Sequence, residues 1–218
     1  MFDDGTSAVS LFKASFAYGA VCCITHSIKG PARTKQLHAA VVVPLAAILL
    51  AQKEPDVFSV LTTNGALTNF LNCASLGYFS YDSALAVKDL ASGNTTFVFV
   101  VHGLLYMIST IVALYTGQAR YDGACAMIYS ASTFFYHSAR FAKNAGAAKL
   151  HLFHKTAFVI SFFVTRVCIG TYITKRAILG AIAGGATGWV VPMAISLALN
   201  YWWGAKIMLM LCRKKKPS

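Results

Sequence analysis

Acidic residues are scarce. Of 218 residues only 7 are Asp or Glu, and Glu54 is the sole glutamate. Charged residues make up 12% of the chain, against ~25% in soluble domains. That shortfall excludes an ordinary soluble enzyme, a disordered tail and a coiled coil. The six cysteines, Cys22, Cys23, Cys73, Cys125, Cys168 and Cys212, include no CxxC pair. Most fall within apolar stretches, so they read as small buried hydrophobes and not as disulfide or metal frameworks. There is no G-x-x-x-x-G-K phosphate loop and no G-x-S-x-G nucleophile elbow. Gly180–Gly188 is glycine-rich but reads as close backbone packing or a loop. His137, His151 and His154 are clustered, but no acid or cysteine lies among them, and zinc needs three or four converging ligands. No metal is expected.

What is abundant is apolar surface. Hydrophobic residues are 57% of the chain and the mean hydropathy is +0.60. Apolar runs of roughly 20 residues cross a bilayer as helices. Seven candidates stand out, at roughly 8–28, 35–51, 66–87, 97–115, 123–141, 156–174 and 188–211. The expected fold class is therefore all-α, a polytopic membrane helical bundle of about seven transmembrane helices. Pro44 suggests that the second span tilts or kinks. Apolar residues continue from Ala177 into the last span, for longer than one crossing needs. Gly184, Gly185, Gly188 and Pro192 break the run, which places a loop or short surface helix at 177–187.

The charges orient the bundle. Lys and Arg number 19 and the net charge is +12. They sit in loops between apolar runs, so anionic lipid headgroups are the expected counter-surface and nucleic acid is not an expected partner. Placing the C-terminus inside gathers Lys29, Arg33, Lys35, Lys88, Arg140, Lys143, Lys149, Lys155 and the 213–216 cluster on one side. It leaves Lys53, Arg120, Lys175 and Arg176 on the other, as the positive-inside rule requires. Acids orient chains weakly, but Asp3, Asp4, Glu54, Asp56 and Asp122 all fall outside. An odd number of spans puts the N-terminus outside. Its Met1-Phe2-Asp3-Asp4 start does not read as a signal or transit peptide. The sequon Asn94-Thr95-Thr96 falls on an inside loop and is expected to stay unmodified. The whole of 1–218 reads as a single transmembrane domain with a basic tail at 213–218.

A charge at mid-bilayer costs ~2.5–3.5 kcal/mol on insertion scales, so each polar group in an apolar run needs a reason. Lys13 and Lys206 read as snorkelling near helix ends. Asp82 and Arg166 lie deeper. They form either a structural ion pair between helices or part of a polar cavity holding a headgroup or substrate. His102 is either hydrogen-bonded glue or a site of chemistry.

The order of these features resembles a known family. His38 follows a basic loop in Lys35-Gln36-Leu37-His38. Gly77-Tyr78-Phe79-Ser80-Tyr81-Asp82 comes next, then Val100-Val101-His102 opening an apolar helix. Ser132-Thr133-Phe134-Phe135-Tyr136-His137-Ser138-Ala139-Arg140-Phe141 and Phe162-Phe163-Val164-Thr165-Arg166 follow. Leu199-Asn200-Tyr201-Trp202-Trp203 and a basic tail close the chain. Over roughly 30–212 this resembles the TLC-domain family, which includes ceramide synthases and translocon-associated and lipid-regulating relatives. The resemblance implies a helical barrel around a lipid-accessible cavity. It implies lipid- or cavity-lining roles for His38, Asp82, His102, His137, Arg140 and Arg166, with no cofactor and a bound phospholipid.

In ceramide synthases the resemblance places paired histidines where His102 lies, as general bases activating an amine toward an acyl thioester. Here the second position is Gly103. The following segment, Met127-Ile128-Tyr129-Ser130-Ala131, lacks the usual acid, and Phe134 stands where proline is common. These departures favour a non-catalytic member, a lipid-binding factor or an accessory subunit with membrane lipids and other membrane subunits as partners. The alternatives are an acyl or lipid transferase with His102 as base and Asp82 as orienter, and a transporter or scramblase. Lys215 and Lys216 resemble a dilysine signal of the endoplasmic reticulum. The basic loops fit a mitochondrial inner membrane equally.

Overall fold

The computed structural model describes residues 8–52, 65–94, 97–116, 120–185 and 187–212. Every described element is helical, and the helices join end to end into seven rods. The first four are α1 (Ala8–Lys29), α2 (Pro31–Ala51), α3 (Ala66–Ala91) and α4 (Phe97–Thr116). The fifth comprises α5 (Arg120–Cys125), a 3-10 turn (Ala126–Tyr129) and α6 (Ser130–Asn144). The sixth comprises α7 (Ala148–Ser161), a π-helical segment (Phe162–Ile169) and α8 (Gly170–Ala183). A 3-10 turn (Thr187–Trp189) leads into α9 (Val190–Cys212). The tail at 213–218, the acids Asp3, Asp4, Glu54 and Asp56, Lys53, and Thr95 and Thr96 of the sequon lie outside the described residues.

Local chemistry sets the breaks. Gly30 has φ 80, a left-handed conformation that suits glycine, and Pro31 then opens α2 at the position where its missing N–H costs nothing. Pro44 sits inside α2, which remains one continuous helix. The break before α9 lies at Gly184 and Gly185, the latter at φ 70. The loop expected at 177–187 is therefore shorter: 177–183 continue α8, and Ala177 and Ala181 are buried there.

Five of the described rods, α1, α2, α4, α7–α8 and α9, are long and apolar enough to cross a membrane by length and composition. Helix α3 is equally long but carries Asn69, Asn72, Ser75, Ser80 and Asp82. It is the central helix, packed against α1, α2, α4 and α5, and every residue from Leu71 to Phe79 is buried. A helix enclosed on all sides needs no apolar stripe, since its polar groups are met by protein. Lipid supplies little hydrophobic drive between helices, so small residues and polar contacts hold the bundle. At Gly77 an added Cβ would lie 2.3 Å from the Ser15 carbonyl oxygen and 2.7 Å from the Gly19 nitrogen. The α1–α3 crossing thus depends on glycine.

The far end of the bundle closes on Arg120. Its side chain is fully buried, donating to the carbonyls of Ala113 (3.1 Å) and Leu114 (2.7 Å). Both carbonyls lie in the last turn of α4, where a helix end offers acceptors to side-chain donors. Asn72 in turn donates to the Arg120 carbonyl at 2.8 Å. Asp122 pairs with Arg176 at 3.3 Å, both well buried. Arg120, Asp122 and Arg176 are therefore not outside-loop charges, as the sequence suggested. They turn inward because the segment from 120 is a helix packed against α3 and α8.

Candidate functional site

The opposite half of the bundle does not close. The ends of α2 and α3, the start of α4, and α6, the π segment and α9 surround a cavity of about 570 Å³. Asp82, His102, His137, Arg140 and Arg166 all line it. His38 does not. It lies behind the wall, its ring stacked on cavity-lining Tyr78 at 3.8 Å, with Nδ1 at 3.0 Å from the Tyr18 hydroxyl.

Arg166 forms part of the floor. It lies in the π-helical segment, and such wide turns re-aim a side chain and recur at functional sites. Its Nε donates to Ser132 Oγ at 2.9 Å and its Nη1 to Asn200 Oδ1 at 3.2 Å. The guanidinium carbon lies 5.6 Å from the Phe162 ring centroid and 5.9 Å from that of Tyr129. Asp82 is not its partner. Asp82 forms an ion pair with Lys35, one helix away on α2. Of the two alternatives the sequence left open, the Asp82–Arg166 pair is not formed and both residues line the cavity: α2, read as starting at 35, starts at Pro31, and its first turns bring the lysine to the carboxylate. Sequence reasoning took Lys35 for a loop charge. It also missed Ser132 and Asn200 as arginine partners, although an asparagine in the apolar α9 was a visible signal.

His102 stands on the wall, 4.7 Å from the Tyr106 ring and 4.9 Å from that of Trp203, centroid to centroid. Its Nδ1 is buried without a hydrogen-bond partner among the described residues. The Tyr106 hydroxyl meets Ser196 Oγ at 2.8 Å, tying α4 to α9. His137 is buried beside Tyr136, and Arg140 is exposed at the open end. Lys206 also lines the cavity, with its ammonium 3.6 Å from the Trp202 ring centroid. It is exposed and six residues from the end of α9, where a snorkelling lysine was expected. His151 is committed elsewhere, with Nδ1 at 2.9 Å from the Ala139 carbonyl oxygen across the α6–α7 hairpin.

A smaller cavity of about 110 Å³ lies beyond this one, lined by Asn72, Asp122 and Thr174 among others. The two share Tyr106, Ala126, Met127 and Tyr129 as lining residues. Chemically, the larger chamber offers an ion pair, a cationic floor and two imidazoles, of which His102 has no hydrogen bond to a carboxylate among the described residues.

A family model for the TLC domain matches residues 34–209. The chain belongs to the TLC-domain family. Searches of curated proteins and of solved structures returned no match. As a TLC-domain protein with long apolar helices, it is an integral membrane protein whose function is tied to membrane lipids. The structure adds one fact about the TLC position that is glycine here. A Cβ on Gly103 would lie 2.6 Å from Ser83 Oγ and 3.5 Å from Ser83 Cα. Position 103 of this TLC domain therefore faces α3, while His102 faces the cavity.

Proposed function

We propose that this TLC-domain protein is non-catalytic. It holds a membrane lipid, a phospholipid, in the larger cavity and acts as a lipid-binding factor or as an accessory subunit alongside other membrane proteins. The observation that carries the reading is the isolation of His102. A general base needs its tautomer fixed and its cation stabilised, commonly by a carboxylate. Asp82 is engaged by Lys35, and His102 Nδ1 has no hydrogen-bond partner. The packing of Gly103 on Ser83 supports the same reading, because a second imidazole there would meet α3 before it met a substrate. The membrane is that of the endoplasmic reticulum or the inner membrane of the mitochondrion.

The second reading is an acyl or lipid transferase with His102 as base. One observation favours it: His102 does line the cavity. Reconstituted protein supplied with acyl-CoA and amine or alcohol lipid acceptors separates the two. The non-catalytic reading expects no acylated lipid from wild type and an unchanged lipid profile for His102→Ala. A working general base contributes ~100- to 10,000-fold in rate. An N-acyl or O-acyl product that vanished in a folded His102→Ala protein would establish the transferase instead.

A further inference from the structure

The floor of the cavity presents a cation without a counter-ion. Arg166 donates to two neutral oxygens, those of Ser132 and Asn200. The described carboxylates are Asp82, Asp89 and Asp122. Asp82 pairs with Lys35, Asp122 pairs with Arg176, and Asp89 is exposed at the end of α3. Among the described residues, none pairs with Arg166.

The bilayer surface cannot supply the missing charge. Ser132 and Asn200, which hold the guanidinium, lie about 18 Å along the helix axis from the C-terminal ends of α6 and α9. About 18 Å from one face of a hydrocarbon core ~30 Å thick is near its middle. Charges at such depth are paired, or they face a polar cavity. Arg166 faces a cavity large enough for part of a lipid. Ser132 Oγ and Asn200 Oδ1 accept from Nε and Nη1 and so fix the plane of the fork. A fork held in one plane is suited to an anionic oxygen pair.

We propose that Arg166 is the seat for the anionic group of an amphiphile, a carboxylate or a phosphate, whose chain extends from the seat into the rest of the cavity. The inference rests on the lipid-binding reading and specifies the class of lipid. It also assigns Ser132 and Asn200 as positioning residues for the guanidinium.

The test uses the full chain in detergent micelles at pH 8 and follows quenching of tryptophan fluorescence. Trp203 lines the same cavity, so a brominated chain bound there quenches it, and Trp203→Phe gives the background. Three probes share one chain: 9,10-dibromostearate, its methyl ester, and the lysophosphatidate carrying the same acyl group. The two anions are expected to saturate at concentrations about tenfold or more below the ester, as a charge-assisted hydrogen bond provides. Whichever of the two anions binds tighter identifies the oxyanion. Arg166→Gln should bring acid and ester to within about twofold, leaving ester binding in place, and Arg166→Lys should keep only part of the preference, because an ammonium carries the charge without the two-pronged fork.

Equal binding of acid and ester by wild type overturns the seat and leaves lipid binding standing, and this comparison needs no variant to fold. A preference unchanged in folded Arg166→Gln also overturns it, assigning the anion to Lys35, Arg140 or Lys206. No saturable quenching by any probe overturns the lipid-binding reading itself.

Discussion

Two arginines mark the two halves of the bundle. Arg120, at the closed end, is fully buried and donates to two backbone carbonyls in the last turn of α4 and, at 3.4 Å, to Asn69 Oδ1. Arg166, at the open end, donates to two side-chain oxygens and lines a cavity. Both charges are held inside a membrane protein, but they do different work. The first completes hydrogen bonds of the fold itself. The second leaves charge facing a space that a ligand can fill. An intramembrane cation is thus informative only once its acceptors are known: backbone acceptors indicate structure, and an unneutralised face on a cavity indicates recognition.

Substitution separates the two most sharply. Arg120→Leu removes the donor from buried carbonyls, and each stranded acceptor costs ~1–3 kcal/mol. We predict a loss of about 3 kcal/mol or more, seen as a marked drop in unfolding temperature in detergent. A variant as stable as wild type would show that the closed end does not depend on Arg120. Arg166→Gln keeps hydrogen-bonding capacity at the floor and should cost ~1 kcal/mol, the scale of one net hydrogen bond. A loss equal to that of Arg120→Leu would mean that Arg166 is structural after all.

The glycines offer an intermediate contrast. Gly77→Ala drives a methyl into the backbone of α1, which cannot turn aside, and should cost ~1–3 kcal/mol. At Gly103→Ala the obstacle is the Ser83 hydroxyl, which can rotate, so the cost should stay below ~1 kcal/mol. Thermal unfolding of the two single variants side by side checks the order, and a reversed order contradicts the close approach of α1 and α3.

The smallest effect concerns Asp82. Its partner Lys35 is partly exposed, at 29% of side-chain surface against 21% for Asp82. A double-mutant cycle of Lys35→Met with Asp82→Asn should give a coupling of ~0.2–1 kcal/mol, the range for partly solvated pairs. The matching cycle with Arg166→Leu should be additive. Coupling of Asp82 to Arg166 but not to Lys35 would restore the ion pair that the sequence left open as one alternative.

How much was legible follows from what hydropathy can see. Runs of apolar residues gave α1, α4 and α9 nearly to their ends, because these helices leave a wide face uncovered by protein: Phe16, Tyr115 and Leu209 are all exposed. Helix α3 was legible in extent, but its polar residues concealed its central position. The segment from Gly117 to Gly123 looks like a polar turn in sequence, and only the fold shows Arg120 and Asp122 pointing inward. The sixth rod was read as 156–174, yet helix runs from Ala148 to Ala183. At about 54 Å it exceeds the bilayer core and must tilt or project. Its π segment gives no sequence signal, because a wide turn is set by packing. The cavity residues were legible as polar groups in apolar runs, but their partners were not. Lys35, Ser132 and Asn200 come from helices distant in sequence, and no local pattern specifies which helix lies beside which.

The central claim is that the open half holds a lipid. Its most direct test is the lipid retained by protein purified in mild detergent, identified and quantified by mass spectrometry, for wild type and for Thr133→Trp. Thr133 lines the cavity, so the indole fills it. The account predicts a stoichiometric, anionic lipid in wild type that is lost from a Thr133→Trp protein of unchanged unfolding temperature. The same lipid at the same stoichiometry in both proteins would contradict it.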